Sequence, residues 1–93
     1  MILSFNDNNT ENIWKGIRVR NIPFEIQKIG RRKLRILNNS HNIRELLIPP
    51  SNHLEKLKGK RKGQYSIRIN DQWRICFDWI NGNSENVEIT DYH

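Results

Sequence analysis

Cysteine is almost missing from this chain. The single Cys76 excludes an internal disulfide and any zinc site built on cysteine pairs. Long apolar runs are missing too: none approaches the roughly 20 residues of a membrane-spanning helix, and the N-terminus lacks a basic-then-apolar leader pattern. There is no Gly-rich phosphate loop, no zincin motif and no Ser/His/Asp elbow. His41 and His53 are isolated, so neither a metal nor a cofactor is expected. Hydrophobic residues make up 35% of the 93, below the usual figure of about 45–50%. A chain this short forms one domain with a small core and has no room for a dinucleotide-binding unit. These exclusions predict a single soluble domain over residues 1–93, in a reducing cytoplasm and with no membrane partner.

What the sequence has in excess is positive charge. Sixteen Lys and Arg against ten Asp and Glu leave +6 at pH 7, which on so small a body points to a polyanionic partner. The charge is unevenly placed. Residues 15–35 carry Lys15, Arg18, Arg20, Lys28, Arg31, Arg32, Lys33 and Arg35 with Glu25 as the only acid, and residues 56–62 read KLKGKRK. From Asp71 onward the balance reverses, with Asp71, Asp78, Glu85, Glu88 and Asp91 facing only Arg74.

The hydropathy pattern predicts an α+β fold of two N-terminal helices packed on an antiparallel sheet, in the order β-α-α-β-β-β. Met1–Phe5 reads as an edge strand. Residues 6–15 read as a helix with Asp7 as N-cap and Gly16 as its stop. Residues 17–22 are either extended or a basic connector. A second helix is expected to begin with Pro23 as its first helical residue. In it Ile22, Ile26, Ile29, Ile36 and Leu37 share an arc of about 100°, with Leu34 at the margin; Lys28, Arg31, Arg32 and Arg35 share the opposite arc. Lys33 breaks the pattern by falling on the apolar side. Residues 43–47 form a helical turn that Pro49-Pro50 ends, and residues 51–63 a basic loop or irregular strand.

Beyond Gly63 the period changes to two. Tyr65/Ile67/Ile69, Trp73/Ile75/Phe77/Trp79 and Val87/Ile89 mark three strands, each with one apolar face. Keeping Ile69 and Trp73 on one face requires an odd connection of about three residues, and sets Arg68 opposite Arg74. Like charges directly across a strand pair repel; either the two arginines splay apart or an anion lies between them. Asn81-Gly82 suggests a two-residue turn, but that register would put Val87 and Phe77 on opposite faces, so a longer loop or a bulge is expected.

Several residues suit work on a phosphate. Lys56, Lys58, Lys60, Arg61 and Lys62 feed into the same sheet as Arg68 and Arg74, and ammonium and guanidinium groups match phosphate oxygens. Tyr65 and Tyr92 offer rings for stacking on bases. The chain ends Asp91-Tyr92-His93, directly after a predicted strand, and an imidazole there could move a proton near pH 7.

The block LEKLKGKRKGQYSIRINDQWRICFDW (residues 54–79) together with the terminal DYH resembles HigB-type toxins of the RelE/ParE superfamily, the plasmid-maintenance killer group, over essentially the whole chain. The resemblance implies a ribosome-dependent, metal-independent endoribonuclease that cuts mRNA in the ribosomal decoding site and so inhibits translation. It also implies a helix-turn-helix HigA-like antitoxin partner, with operator DNA bound only through the antitoxin complex. Lys58 of the LKG motif, Arg74 of the WRI motif, Tyr92 and His93 fall on residues this family uses for RNA binding or cleavage. Some members carry a His three residues before the motif lysine; this chain has Glu55, which leaves the general base open between Glu55 and His93. Lys56, Lys60, Arg61, Lys62, Arg68 and Tyr65 are the expected RNA-binding residues around them. Two alternatives share the scaffold, a gyrase-poisoning toxin of the ParE sort and a non-catalytic RNA-binding module; the terminal Tyr-His argues against the first.

Overall fold

Asp7 accepts the backbone N–H of Thr10 at 3.0 Å and so opens α1 (Asn8–Trp14). The chain closes the helix at Gly16, whose φ of +85° an L side chain rarely adopts. In this computed structural model, which describes residues 1–91, the connector over residues 17–22 forms no strand. It is pinned instead by the buried Gln27, whose amide accepts from Val19 N–H at 3.0 Å and donates to the carbonyls of Val19 and Ile22 at 2.9 and 2.7 Å.

The second helix, α2 (Phe24–Asn39), starts one residue later than the sequence suggested. Pro23 has ψ of 138° and is the N-cap; its carbonyl accepts from Ile26 and Gln27 N–H at 2.9 and 3.1 Å, which a residue outside the first turn can do. The buried stripe is also rotated. Ile26, Gln27, Gly30, Lys33, Leu34 and Leu37 are buried, whereas Ile29 and Ile36 are only partly so. Gly30 explains the rotation: a Cβ there would lie 3.1 Å from Ile89 Cδ1 and 3.4 Å from Ile69 Cδ1. The helix therefore meets the sheet along the line through its glycine, which a count of apolar residues does not reveal.

The sheet is a four-stranded antiparallel meander, β1 (Glu55–Lys56), β2 (Gln64–Arg68), β3 (Trp73–Ile80) and β4 (Asn83–Asp91). The N-terminal segment extends it beside β4 through two parallel bridges, Ile2 to Ser84 and Phe5 to Val87, rather than as a continuous strand. A short 3₁₀ turn at Ile43–Leu47 and another at Pro50–Asn52 lead from α2 to β1. The β3–β4 connection satisfies both conflicting expectations. Asn81 and Gly82 form a two-residue turn with φ of +52° and +80°. A bulge then restores the register, because Cys76 pairs with Glu88 and Asp78 with Glu85, so Asn86 and Val87 together face Phe77. Asn86 takes the extra left-handed turn, with φ of +52°.

Ile67, Ile75, Phe77, Val87 and Ile89 on one sheet face pack against Ile13, Ile26, Leu34 and Leu37 from the helices. Each such side chain is worth about 1.5–3 kcal/mol when fully buried, so this single layer holds the domain together. Among the described residues no helix is long and apolar enough to cross a membrane. The helices occupy one face of the sheet, and the other face carries the polar residues.

Candidate functional site

Alternation along the strands puts Glu55, Ser66, Cys76 and Glu88 in one row across the outer sheet face, since Glu55 pairs with Ser66, Ser66 with Cys76 and Cys76 with Glu88. Arg74 belongs to the next row, directly opposite Arg68 as the parity of the strands requires. The two guanidinium groups splay. Arg68 turns outward to the exposed Asp71 carboxylate. Arg74 folds inward to 9% exposure; its Nε donates to Ser66 Oγ at 2.8 Å and its Nη2 to the His53 carbonyl at 2.7 Å.

That arrangement is unusual in its electrostatics. A buried guanidinium is expensive to desolvate and is normally paired with a carboxylate. Among the described residues Arg74 forms no ion pair. Its neutral acceptors satisfy hydrogen bonds and orient the group while leaving its charge uncompensated by those residues. A site so prepared attracts an anion.

A second cation lies on the same face. Arg61 reaches across from the basic loop and donates to Gln64 Oε1 and to Glu88 Oε1, each at 3.1 Å. Burial pushes the thiol of Cys76 above its ordinary range, with Arg61 and Arg74 opposing the shift. Cys76 is therefore a protonated, fully buried filler of the sheet.

Glu55 is exposed at the edge strand with Ser66 as its cross-strand neighbour. Lys58 is exposed three residues further on, where it caps the 3₁₀ turn Gly59–Arg61. It thus lies on the far side of the Ser66 row from Arg74. Lys56, Lys58 and Lys62 line an open depression of about 360 Å³ together with Leu57, Gly59 and Gly63; Lys60 is exposed beside it. Tyr65 is not brought to this face. It pairs with Phe77 and stacks on that ring at 6.2 Å between centroids, on the helix side of the sheet. Lys56, paired with Tyr65, shares its side of the strand. Tyr92 and His93 lie outside the described residues; β4 runs to Asp91, which pairs with Trp73, the residue before Arg74. Among the described residues no three His, Cys, Asp or Glu side chains group as a metal site.

Two features of the site escape sequence reasoning. Ser66 and the backbone carbonyl of His53 hold the arginine, and nothing in their local sequence signals it. Lys33, by contrast, is flagged by its place on an apolar arc. It is 7% exposed and donates to Asn52 Oδ1 at 2.5 Å.

Comparison with known proteins gives a consistent picture. A family model described as a RelE-like toxin of the type II toxin–antitoxin system HigB matches residues 3–93. Toxin HigB-1 of Vibrio cholerae is 41% identical over 83 residues, spanning 88% of this chain and 87% of that protein. Endoribonuclease HigB of Proteus vulgaris is 45% identical over 40 residues, 43% of this chain and 44% of that one. Among solved structures, the YoeB–YefM complex from Staphylococcus aureus superposes on all of this chain and 98% of the matched chain with a TM-score of 0.62 and 19% identity. That last likeness is one of fold.

Proposed function

The chain belongs to the HigB-like family of RelE-like toxins of type II toxin–antitoxin systems, and on that premise we propose that it is an endoribonuclease that cuts mRNA on the translating ribosome, without a metal, using the outer face of its sheet. The observation that carries this reading is Arg74, a nine-tenths buried guanidinium fixed by Ser66 and His53 and given no carboxylate partner by the described residues.

The RNA's own 2′-OH attacks the adjacent phosphate, leaving a 2′,3′-cyclic phosphate on one fragment and a 5′-OH on the other. The protein takes a proton from the 2′-OH, returns one to the 5′ oxygen and stabilises the charge on the phosphorane. Arg74 and Lys58 supply the charge from opposite sides of the Ser66 row, each contributing about 2–4 kcal/mol by analogy with other oxyanion donors. A strand of RNA laid across β1 and β2 meets both. Glu55 and His93 are the two proton-transfer groups, typically worth about 10²–10⁴-fold each, and Tyr92 a stacking or proton-transfer partner. Lys60, Lys62, Arg61 and Arg68 hold flanking phosphates, with Lys56 at the rim.

The partner that silences such a toxin is an antitoxin, here of the helix-turn-helix HigA type, through which the pair contacts operator DNA. A cytoplasmic location follows from ribosomes as the target. The test is a translation reaction charged with purified protein and read by primer extension. Discrete cuts in engaged message, absent from naked message, are expected. Intact message at stoichiometric protein would refute the proposal.

A further inference from the structure

Lys33 sits on the core side of α2, where its apolar neighbours demand a hydrophobic residue, and among the described residues its ammonium is held by a single side chain, Asn52. Asn52 is itself fully buried. It uses both ends of its amide: Oδ1 accepts from Lys33 at 2.5 Å, while Nδ2 donates to the carbonyls of Leu46 and Ile48 at 3.1 and 3.3 Å. The two consecutive 3₁₀ turns are thereby tied to α2 at one point. Burial lowers the Lys33 pKa, with Arg32 adding to the effect, so the chain accepts an electrostatic cost to keep this contact.

The residue that follows Asn52 is His53. His53 ends the turn Pro50–Asn52 in the left-handed region, φ +43° and ψ +56°, a conformation uncommon for a residue with a Cβ. In that conformation its N–H donates to Pro50 O at 3.0 Å and its own carbonyl accepts from Arg74 Nη2 at 2.7 Å. The guanidinium is then held by Ser66, through Oγ and a longer bond of 3.5 Å to its carbonyl, and by His53 O, and these bonds set the direction of its remaining donors.

We propose that the buried Lys33–Asn52 pair is a positioning device for Arg74, acting through the carbonyl of His53. The proposal rests on Arg74 being the phosphate-binding group of the reaction. Neither Lys33 nor Asn52 touches substrate; they set the orientation in which the arginine meets it. A methionine at position 33 would fill the same space but could not hold the Asn52 amide.

The experiment is a double-mutant cycle with a second readout that does not depend on cleavage. K33M keeps the apolar stem and removes the ammonium; N52D keeps an acceptor for Lys33 and removes the donors to Leu46 and Ile48. Each is made in the wild-type chain and in R74K, and single-turnover cleavage is followed on programmed ribosomes. Either change is expected to slow cleavage about 10–100-fold, the loss of one hydrogen bond to a charged group, with apparent KM little changed. In the R74K background, where no guanidinium remains to be aimed, both are expected to be nearly silent. A loss of equal size in both backgrounds, or none in either, overturns the proposal. In parallel, the Arg74 Nε–Hε resonance of each folded variant is compared with wild type. A shift or broadening at Arg74, with the signals of Phe77 and Ile89 in place, supports the device; an unmoved Arg74 signal in a folded variant overturns it. If the wild-type chain cuts no RNA, the nuclease reading fails, and the resonance still decides whether Lys33 and Asn52 orient Arg74.

Discussion

Arg68 and Arg74 face each other directly across β2 and β3, yet one ends at the exposed carboxylate of Asp71 and the other is buried on Ser66 and the carbonyl of His53. The repulsion between them is relieved by partners on opposite sides, and the two positions have unequal consequences. R68A removes an ion pair whose acid is almost fully exposed, so it is expected to change stability by about 0–1 kcal/mol. R74A leaves a hydroxyl and a carbonyl without their donor, at a cost of about 1–3 kcal/mol, and lowers cleavage about 10²–10³-fold. Urea midpoints and cleavage rates of the two variants check both halves.

Two glycines with positive φ separate strain from space. Gly82 has φ of +80° and a Cβ there would lie 3.0 Å from the carbonyl oxygen of His41, whereas Gly59 has φ of +70° with nothing within 4 Å. G59A is expected to cost only the left-handed strain, about 1–2 kcal/mol. G82A adds a clash with backbone, and its denaturation midpoint should fall clearly further. Equal midpoints for the two variants would mean that the β3–β4 turn yields to accommodate the methyl.

Glu45 gives the fold an acid-sensitive point. Its carboxylate accepts the N–H groups of His41 and Asn42 in a capping box, and these bonds hold its pKa below the ordinary 4.5. A folded-state pKa below the unfolded one means that the unfolded chain binds the extra proton. The stabilisation is therefore complete above about the unfolded value and is lost as pH falls through the depressed one. E45Q cannot titrate, so its stability deficit relative to wild type should be full at neutral pH and shrink toward pH 3. Urea titrations at a series of pH values test this, and a deficit that does not change with pH contradicts it.

The division of proton transfer between Glu55 and His93 is open to kinetics. E55Q and H93Q should each slow cleavage about 10²–10⁴-fold. Loss of the base should remove the acidic limb of the pH–rate profile and loss of the acid the basic limb. Undiminished toxicity of H93Q, with no RNA cleavage by the wild-type chain, would favour a module that binds RNA without cutting it.

Most of the fold is legible in the sequence because its determinants are local. Asp7 and Gly16 bound α1, strand parity sets Arg68 against Arg74, and the conflict between the Asn81-Gly82 turn and the apolar faces calls for a longer loop or a bulge, of which the structure has the bulge, at Asn86 and Val87. The rotation of α2 is not legible, because Gly30 acts by the absence of a side chain against Ile69 and Ile89, which only the packed structure brings together. The site divides in the same way. The side chains chosen for their charge are visible in the sequence, and strand pairing sets Glu55 beside Ser66, the residue whose hydroxyl accepts from Arg74. The groups that aim Arg74, a serine hydroxyl and a backbone carbonyl, carry no sequence signal, and Tyr65 faces the core because its strand alternates with Ser66. Lys33 is the exception: a charged residue out of place on an apolar arc marks a buried hydrogen bond, to Asn52.

The most direct measurement compares two faces of the molecule in one assay. Primer extension on ribosome-engaged message is carried out with K58A/R74A, which removes the two cations assigned to the phosphorane charge, and with R32A/R35A, which removes exposed charge from the back of α2. Site-specific cuts should disappear with the first protein and persist with the second, and 2′,3′-cyclic phosphate should be found at the ends made by wild type. Persistent cutting by K58A/R74A, with loss of cutting in R32A/R35A, would contradict the assignment of the outer sheet face as the place where RNA is cut.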